Sequence, residues 1–143
     1  SIEVARLLEK YGYAALDADN GTYDSWFWAH PPVYMPEACN LEDCAFIKEK
    51  VNIPVICAGR MEDPAADDKA IREGKIDAIG LARSLLADPY WPKKAMNDKA
   101  EHIRPCIACH VGCLQRIFNM KDMSCALNPA CCNEKAYESV SMW

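Results

Sequence analysis

Apolar side chains recur along the first part of the chain in two patterns, one typical of helices and one typical of buried strands. Residues 2–11 place an apolar side chain at every third position and are followed by Gly12, which predicts an amphipathic helix that ends at a glycine. Short apolar runs bounded by turn residues predict three strands, at residues 13–17, 53–58 and 76–81. Further helices are predicted at 40–51 with Asn40 as its cap, at 63–74 with Asp63 as its cap, and at 84–96.

Strands that alternate with helices are typical of a parallel α/β arrangement, because each crossover between parallel strands needs a helix to cover it. Three strands are fewer than a complete doubly wound sheet or barrel normally has, so the chain looks like part of a larger sheet. The long segment 18–39 is rich in aromatic residues and proline and holds neither period. It is predicted to be a loop with a functional role.

The carboxyl ends of the second and third predicted strands carry the same pair of residue types, a small residue and an arginine. Gly59 and Arg60 follow one strand, and Ala82 and Arg83 follow the next. In open sheets and barrels alike, ligands bind at the carboxyl ends of strands, where small residues let backbone amides approach a phosphate and a guanidinium adds charge. The repeated pair predicts a phosphate-binding site, although an arginine at a strand end is more often a surface ion-pair partner.

Four cysteines near the C-terminal end have the spacing of a metal site. Two, three and eleven residues separate Cys106, Cys109, Cys113 and Cys125 in turn. Four thiolates suit either a tetrahedral zinc ion or an iron–sulfur cluster, since both prefer soft sulfur donors. Structural zinc sites usually pair their ligands in two short knuckles, so three ligands in a compact run with a distant fourth favour the cluster. His110 lies inside the run and is predicted to stay outside the ligand set.

Composition and charge restrict the class of protein. The chain has 143 residues, 51% of them hydrophobic, with a formal net charge of −5 and no basic block, which argues against a nucleic-acid partner. No apolar run is long enough to cross a bilayer, so a membrane partner is not expected. Nine cysteines without a signal-like N-terminus predict a reducing compartment, the cytoplasm, where thiols bind metal more often than they form disulfides.

Three stretches of the chain together resemble one family. They read PVICAGRMEDP, then IDAIGLARSLLADPYWPKKA, then IRPCIACHVGCLQRIF with SCALNPACCNE. In this order they are similar to the C-terminal end of the barrel domain in the iron–sulfur flavoenzymes of the Old Yellow Enzyme group, which includes 2,4-dienoyl-CoA reductase, 2-enoate reductase and bile-acid NADH:flavin oxidoreductases. The stretch YDSWFWAHPPVYMP is nearest to the enoate-reductase and bile-acid branch.

The resemblance implies an α/β fold made of the last three β/α units of a TIM (β/α)8 barrel, followed by a cysteine-rich iron–sulfur segment. It divides the chain into a barrel portion at 1–103, a cluster-binding segment at 104–134 and the start of a linker at 135–143. FMN would lie at the carboxyl face of the barrel. Its phosphate is expected near Ala58, Gly59, Arg60, Ala82 and Arg83, and a 4Fe-4S cluster is expected on Cys106, Cys109, Cys113 and Cys125.

The resemblance also implies an activity. In the family, electrons pass from NAD(P)H to FAD, through the cluster to FMN, and then to the activated double bond of an enoate, an enoyl thioester or a bile-acid-like enone. A histidine that assists protonation in the dienoyl-CoA reductase branch is not reproduced here, so Tyr23 and His30 become the candidate general acids. The plain alternatives are aromatic packing for Tyr23 and a structural position in the loop for His30.

The chain ends near the point where the FAD- and NAD(P)H-binding domains of this family begin, and the barrel strands expected before its first residue are absent. We therefore expect a truncated segment that is inactive alone and whose open strand edge favours pairing with another copy of the chain. A competing hypothesis is a zinc-stapled module, in which the four cysteines only stabilise an interaction surface.

Overall fold

A three-stranded parallel sheet is the centre of the first part of the chain. The strands β1 (Leu16–Ala18), β2 (Val55–Ala58) and β3 (Ala78–Gly80) lie side by side in that order, with β2 in the middle. The computed structural model describes residues 2–137. The parallel pairing confirms the α/β class, and it brings the carboxyl ends of all three strands to one edge of the sheet.

Short helices cover the connections between strands and provide most of the regular structure after the sheet. The helices of the described residues are α1 (Ile2–Lys10), α2 (Trp26–Ala29), α3 (Leu41–Lys48), α4 (Pro64–Arg72), α5 (Arg83–Ala87), α6 (Trp91–Met96), α7 (Leu114–Phe118) and α8 (Glu134–Tyr137). Single 3-10 turns occur at Tyr23–Ser25 and Ala100–His102. Among residues 2–137, every helix is too short or too polar to traverse a lipid bilayer.

The backbone divides into two compact units whose boundary in the sequence lies between Leu81 and Ala82. The first unit contains the sheet with α1 to α4, and the second contains α5 to α8 with the cysteine-rich segment. The linker predicted at 135–143 begins inside α8, and its residues 138–143 lie outside the described residues.

The core of the first unit is built on the middle strand. Val55 and Cys57 of β2 are both 0% exposed, and Leu16, Met61 and Ile76 belong to the same buried cluster. Central strands of parallel sheets are covered on both faces, which explains the continuous apolar run of β2. Full burial of one aliphatic side chain of this size stabilises the fold by about 2 kcal/mol.

Helix α4 begins and ends at the residues that the sequence predicts. The Asp63 carboxylate accepts a hydrogen bond from the Ala65 amide at 2.9 Å, and Pro64 occupies the first helical position. The chain leaves the helix at Gly74, whose φ of +70° is a conformation that glycine adopts without steric penalty. These two signals confirm the predicted extent of this helix.

The first predicted strand is present, but its bounds are shifted. Residues 13–15 of the predicted run 13–17 are not part of it, because the chain turns at Gly12 (φ +89°) and the Tyr13 amide still donates to the Leu8 carbonyl of α1 at 3.2 Å. Strand β1 therefore begins only at Leu16 and runs to Ala18. The hydrogen bond of the Tyr13 amide is part of the C-terminal end of α1. Residue types alone do not reveal this bond, so the sequence places the start of the strand too early.

Two predictions of longer segments are wrong. The helix predicted at 84–96 is interrupted between α5 and α6, because Asp88 has an extended backbone (φ −140°, ψ 98°) and Pro89 follows it. The segment 18–39, predicted to be a loop, contains a 3-10 turn and α2. Thr22 starts this helical stretch through a hydrogen bond from its amide to the Ser25 hydroxyl at 3.1 Å.

Candidate functional site

The carboxyl end of β2 is a tight turn built around Gly59. Gly59 has a φ of +123°, and a Cβ atom added there would lie 2.4 Å from Nδ2 of Asn40. The Asn40 side chain is buried, 1% exposed, and its amide donates to the Ala58 carbonyl at 2.9 Å. Glycine is therefore required at this position by the backbone conformation and by the close approach of Asn40.

Asn40 connects the ends of β1 and β2 through polar contacts. Its Oδ1 accepts a hydrogen bond from Nδ2 of Asn20 at 3.2 Å, and the same Asn20 amide donates to Oδ2 of Asp43 at 2.6 Å. Asn40 occupies the N-cap position of α3, but its side chain makes no capping bond, so the predicted capping role is wrong. The sequence indicates that Asn40 precedes a helix, but it does not indicate that the Asn40 side chain contacts the ends of two strands instead of capping α3.

Small residues continue along the ends of the next strands. Ala58 pairs with Gly80 across the sheet, and a Cβ added to Gly80 would lie 3.0 Å from the Ala58 Cβ. In the second unit, Ala82 is exposed at the N-cap of α5, and Arg83 is the first residue of that helix. Gly59 and Arg60 thus follow β2 directly, whereas Leu81 separates the end of β3 from Ala82 and Arg83.

Arg60 is held by groups of its own unit. Its guanidinium donates to the two carboxylate oxygens of Glu62 at 3.4 and 3.2 Å, and to the carbonyls of Val33 and Met35. The Arg60 side chain is only 10% exposed, and that of Glu62 is 11% exposed. The arginine therefore ties the long loop to the turn after β2. A phosphate at this turn would share the guanidinium with Glu62, and phosphate contact by Arg60 stays a prediction.

The two candidate general acids lie on either side of Trp26. The Tyr23 ring stacks on the Trp26 ring with centroids 5.7 Å apart, and the His30 ring meets Trp26 edge-on at 4.7 Å. Tyr23 is 91% exposed. Helix α2 creates this arrangement, because residues three or four positions apart share one face of a helix. The roles of Tyr23 and His30 in proton transfer stay predictions.

The four predicted metal ligands line a single cavity of the second unit. Cys106, Cys109, Cys113 and Cys125 surround it, and Arg83 contributes to its wall. The cavity itself is small, about 20 Å³, and the space around it opens to solvent. Within the described residues no cysteine is joined in a disulfide, so none competes for these sulfurs. The structure therefore brings together the four side chains that the spacing selected.

A backbone contact brings the fourth cysteine to the other three. The Ser124 amide donates to the Gly112 carbonyl at 2.8 Å, which places Cys125 beside Cys113. A Cβ added to Gly112 would lie 2.5 Å from the Ser124 carbonyl oxygen, so only glycine permits this approach. The sequence contained part of this signal, since Gly112 directly precedes a predicted ligand, but no pattern pointed to its partner Ser124, twelve residues later.

The arrangement of the sulfurs can be tested against the two candidate metal groups. The amides of Ala108 and Leu127 donate to Sγ of Cys106 and Cys125, each at 3.4 Å, and hydrogen bonds to sulfur are a known means of tuning iron–sulfur clusters. In residues 2–137, no three His, Cys, Asp or Glu side chains are grouped closely enough to hold one metal ion. The donor set itself, four cysteine thiols, suits either a tetrahedral zinc ion or an iron–sulfur cluster.

His110 contributes to the cavity wall without belonging to the cysteine set. Its Nε2 lies within hydrogen-bond distance of the Arg83 guanidinium, and the His110 backbone has a φ of +60°. The predicted position of His110 beside the ligands is therefore observed. Its contact also brings Arg83, predicted to bind the flavin phosphate, to the wall of the cysteine cavity.

Asp88 fixes the chain that leads into the cysteine segment. This carboxylate is 2% exposed and accepts hydrogen bonds from Lys94 Nζ at 2.6 Å, the Arg104 amide at 2.9 Å and the Tyr90 amide at 3.0 Å. Burial alone would raise the pKa of Asp88, but these three hydrogen bonds lower it below its usual value. Sequence reasoning missed the contact with the Arg104 amide, because that donor lies sixteen residues away.

The cysteine segment is also anchored after its last ligand. Asn128 is 4% exposed, and its side-chain amide donates to the Leu86 carbonyl of α5 at 2.9 Å. Its Oδ1 accepts from the Ala130 amide at 3.2 Å. Asp88 therefore anchors the start of the cysteine segment at the end of α5, and Asn128 anchors its later part to the same helix. The sequence pattern predicted neither role.

Comparison with known proteins places this geometry in a family. Residues 2–102 match the model of the NADH:flavin oxidoreductase / NADH oxidase family. Cinnamate reductase of Clostridium sporogenes is 48% identical over 136 residues, which are 95% of this chain and 20% of that protein. NADH oxidase of Thermoanaerobacter brockii is 34% identical over 139 residues, which are 96% of this chain and 21% of that protein.

A solved structure agrees with these relatives. The complex of 2-naphthoyl-CoA reductase with 2-naphthoyl-CoA superimposes with a TM-score of 0.87 and 31% identity, over 93% of this chain and 20% of that chain. This chain thus spans about a fifth of the length of the relatives it matches. The family implies an FMN cofactor. On the match over residues 2–102 and the identity to its relatives, the chain belongs to the NADH:flavin oxidoreductase / NADH oxidase family.

Proposed function

We propose that this chain is part of an NAD(P)H-dependent flavin and iron–sulfur oxidoreductase that reduces an activated carbon–carbon double bond. The observation that carries the proposal is the meeting of Cys106, Cys109, Cys113 and Cys125 at one cavity, in a chain of an FMN family. When bound, FMN would supply hydride to the double bond, and a 4Fe-4S cluster would supply single electrons. The residues of this chain would bind and orient both groups.

The three-stranded sheet would be the last three β/α units of a TIM barrel. Three features support this assignment: the parallel order β1-β2-β3, the helices between the strands, and the small residues at the strand ends. The cysteine segment would follow the barrel. FAD and NAD(P)H would bind in other parts of the longer protein, because this chain covers only 20% of its relative from Clostridium sporogenes.

The flavin phosphate would bind at the turn after β2, through the backbone of Gly59 and Arg60 beside Ala58. The support is the position of this turn, which directly follows β2 at the carboxyl edge of the parallel sheet, where anions are commonly bound. Because Glu62 balances the Arg60 guanidinium, this arginine would mainly fix the shape of the turn. Ala82 and Arg83 would complete the phosphate site.

Proton delivery to the reduced substrate would come from Tyr23 or His30. Both flank Trp26, so a substrate that stacks on this ring would find a phenol and an imidazole within reach. Tyr23→Phe and His30→Gln in the full-length protein should separate them. The true donor is the one whose loss lowers kcat with enoate while NADH-dependent flavin reduction stays normal.

Metal analysis of anaerobically purified protein tests the cluster. We expect brown protein with iron and acid-labile sulfide in equal amounts. Cys113→Ser should lower both, whereas the matched variant Cys39→Ser should keep both, because Cys39 lies in the first unit. Colourless protein with stoichiometric zinc would contradict the electron-relay proposal and establish the zinc-stapled module.

The substrate class is proposed from the relatives. One relative is named for cinnamate, an enoate, and a neighbouring structure is named for an aromatic enoyl-type thioester, 2-naphthoyl-CoA. Anaerobic assays of the full-length protein with NADH should therefore show oxidation that depends on added enoate. NADH oxidation that occurs only with oxygen, at the same rate with and without cinnamate or a bile-acid-like enone, would contradict this class.

A further inference from the structure

Two adjacent thiols of the second unit form a pair outside the four-cysteine set. The Sγ atoms of Cys131 and Cys132 lie 3.8 Å apart. Cys131 is 2% exposed, whereas Cys132 is open to solvent and has a φ of +66°. Neither residue is among those that line the four-cysteine cavity in the described part of the chain. The proposed function uses neither thiol.

The backbone around the pair is fixed by local hydrogen bonds. The Cys131 amide donates to the Asn128 carbonyl at 3.1 Å, and the Cys132 amide donates to Oε1 of Glu134 at 3.0 Å. The Asn133 amide closes the turn on the Ala130 carbonyl at 2.8 Å. Asn128 is itself buried and bonded to α5. The two sulfurs are therefore held on one side of a turn before any ligand arrives.

A disulfide fits this pair poorly. Consecutive Cα atoms lie about 3.8 Å apart across a trans peptide. Bridged cysteines usually have Cα atoms at least about 4.4 Å apart, and their sulfurs must approach to about 2.05 Å. Closing a bond between Cys131 and Cys132 would therefore require the sulfurs to move far from their separation of 3.8 Å.

Chelation of one soft centre needs far less movement of the sulfurs than a disulfide does. Two sulfurs bound at about 2.3 Å to one centre lie about 3.8 Å apart when the centre is tetrahedral and a few tenths of an ångström closer when it is pyramidal, whereas the sulfurs of Cys131 and Cys132 lie 3.8 Å apart. A structural zinc ion needs four ligands, and within residues 2–137 no group of three or more ligand side chains could hold an ion. A centre that is satisfied by two thiolates is therefore the better match.

We propose that Cys131 and Cys132 form a bidentate site for trivalent arsenicals, which are soft and bind thiolate sulfur. A monosubstituted arsenical oxide condenses with both thiols, so that two As–S bonds form, the As–O bond breaks, and one water leaves with the two thiol protons. No oxidation state changes. The exposed Cys132 would form the first bond. Burial, and then the hydrogen bond with Cys132, raises the pKa of Cys131 to about 12, so this thiol closes the ring second.

Phenylarsine oxide is the probe that tests the site. The experiment uses the purified cluster-loaded protein, in which the four cavity cysteines are occupied, and counts adducts by native mass spectrometry. We expect one adduct per chain, reversed by dithiothreitol and resistant to the same concentration of a monothiol. Cys132→Ser, at an exposed position, should weaken binding at least tenfold, and Cys131→Ala should do the same. Cys39→Ser should bind as the wild type does.

Three results would overturn the assignment. They are the absence of an adduct in the wild type, an adduct of unchanged affinity in Cys132→Ser, and release of iron in step with arsenical binding, which would place the probe on the cavity cysteines. Arsenical binding is read without flavin or substrate. A failure here therefore leaves the oxidoreductase proposal standing, and a failure of enoate reduction leaves the arsenical site standing.

Discussion

Replacing the buried Asp67 of α4 by asparagine is expected to stabilise the protein at neutral and alkaline pH. Asp67 is 4% exposed, and none of the described residues donates a hydrogen bond to its Oδ2. Burial, followed by repulsion from the carboxylates of Asp63, Glu62 and Glu37, raises the pKa of Asp67 to about 7. The charged carboxylate is therefore unfavourable in the folded state and ordinary in the unfolded chain.

The raised pKa sets the sign of the pH dependence. Between about pH 4 and pH 7, the folded state keeps a proton on Asp67 that the unfolded chain releases, so stability falls as the pH rises through this window and then levels off. A shift of roughly three pKa units corresponds to at most about 4 kcal/mol. Because the asparagine amide would also lack full pairing, we expect a gain of about 2 kcal/mol at pH 8 and almost none near pH 5.

Urea denaturation followed by tryptophan fluorescence, repeated between pH 5 and pH 8, measures this difference. The matched control is Asp68→Asn on the same helix. Asp68 is 58% exposed and pairs with Arg72 at 2.6 Å, so its loss should change the free energy of unfolding by less than about 1 kcal/mol. If the difference between Asp67→Asn and the wild type is the same at pH 5 and pH 8, Asp67 is not a buried charge and the reasoning is refuted.

Three further substitutions test the turn after β2 and the cysteine segment. Gly59→Ala should cost about 1 to 3 kcal/mol of stability and weaken FMN binding, because its φ of +123° and the nearby Asn40 leave no room for a Cβ; thermal unfolding and flavin titration measure both. Asp88→Asn should destabilise by about 1 to 3 kcal/mol at pH 7, but the loss should shrink as the pH falls below the usual pKa of an aspartate, because the unfolded wild type takes up the proton first and the folded state only at lower pH; urea unfolding at neutral and at acidic pH checks this. Gly112→Ala should lower iron content several-fold by pushing away Ser124, whereas Gly74→Ala, with open space around it, should keep iron bound; normal iron in Gly112→Ala would contradict this role.

Features that depend on neighbouring residues in the sequence could be predicted. Asp63, Pro64 and Gly74 gave both ends of α4, and the spacing of the cysteines selected four side chains that do meet at one cavity. In each case the signal and its structural result lie within one helix or one loop. Local sequence carries such information because capping, left-handed turns and ligand spacing act over a few residues.

Features that depend on distant partners could not be predicted. Asn40 has the sequence context of a helix cap, but its side chain contacts Asn20 and the Ala58 carbonyl. The Asp88 carboxylate accepts a hydrogen bond from the Arg104 amide, sixteen residues away, and no local pattern indicates that partner. A pattern of residue types shows that a polar side chain can bond, whereas only the fold decides with which group.

The contact between Gly112 and Ser124 has a consequence for cofactor insertion. The hydrogen bond of 2.8 Å from the Ser124 amide to the Gly112 carbonyl holds Cys125 near Cys113 without help from a bound metal group. Because the loop between Gly112 and Ser124 is already closed, it loses little conformational entropy when a metal group binds. Loss of the proposed cluster should therefore leave an ordered segment that binds iron and sulfide again without unfolding.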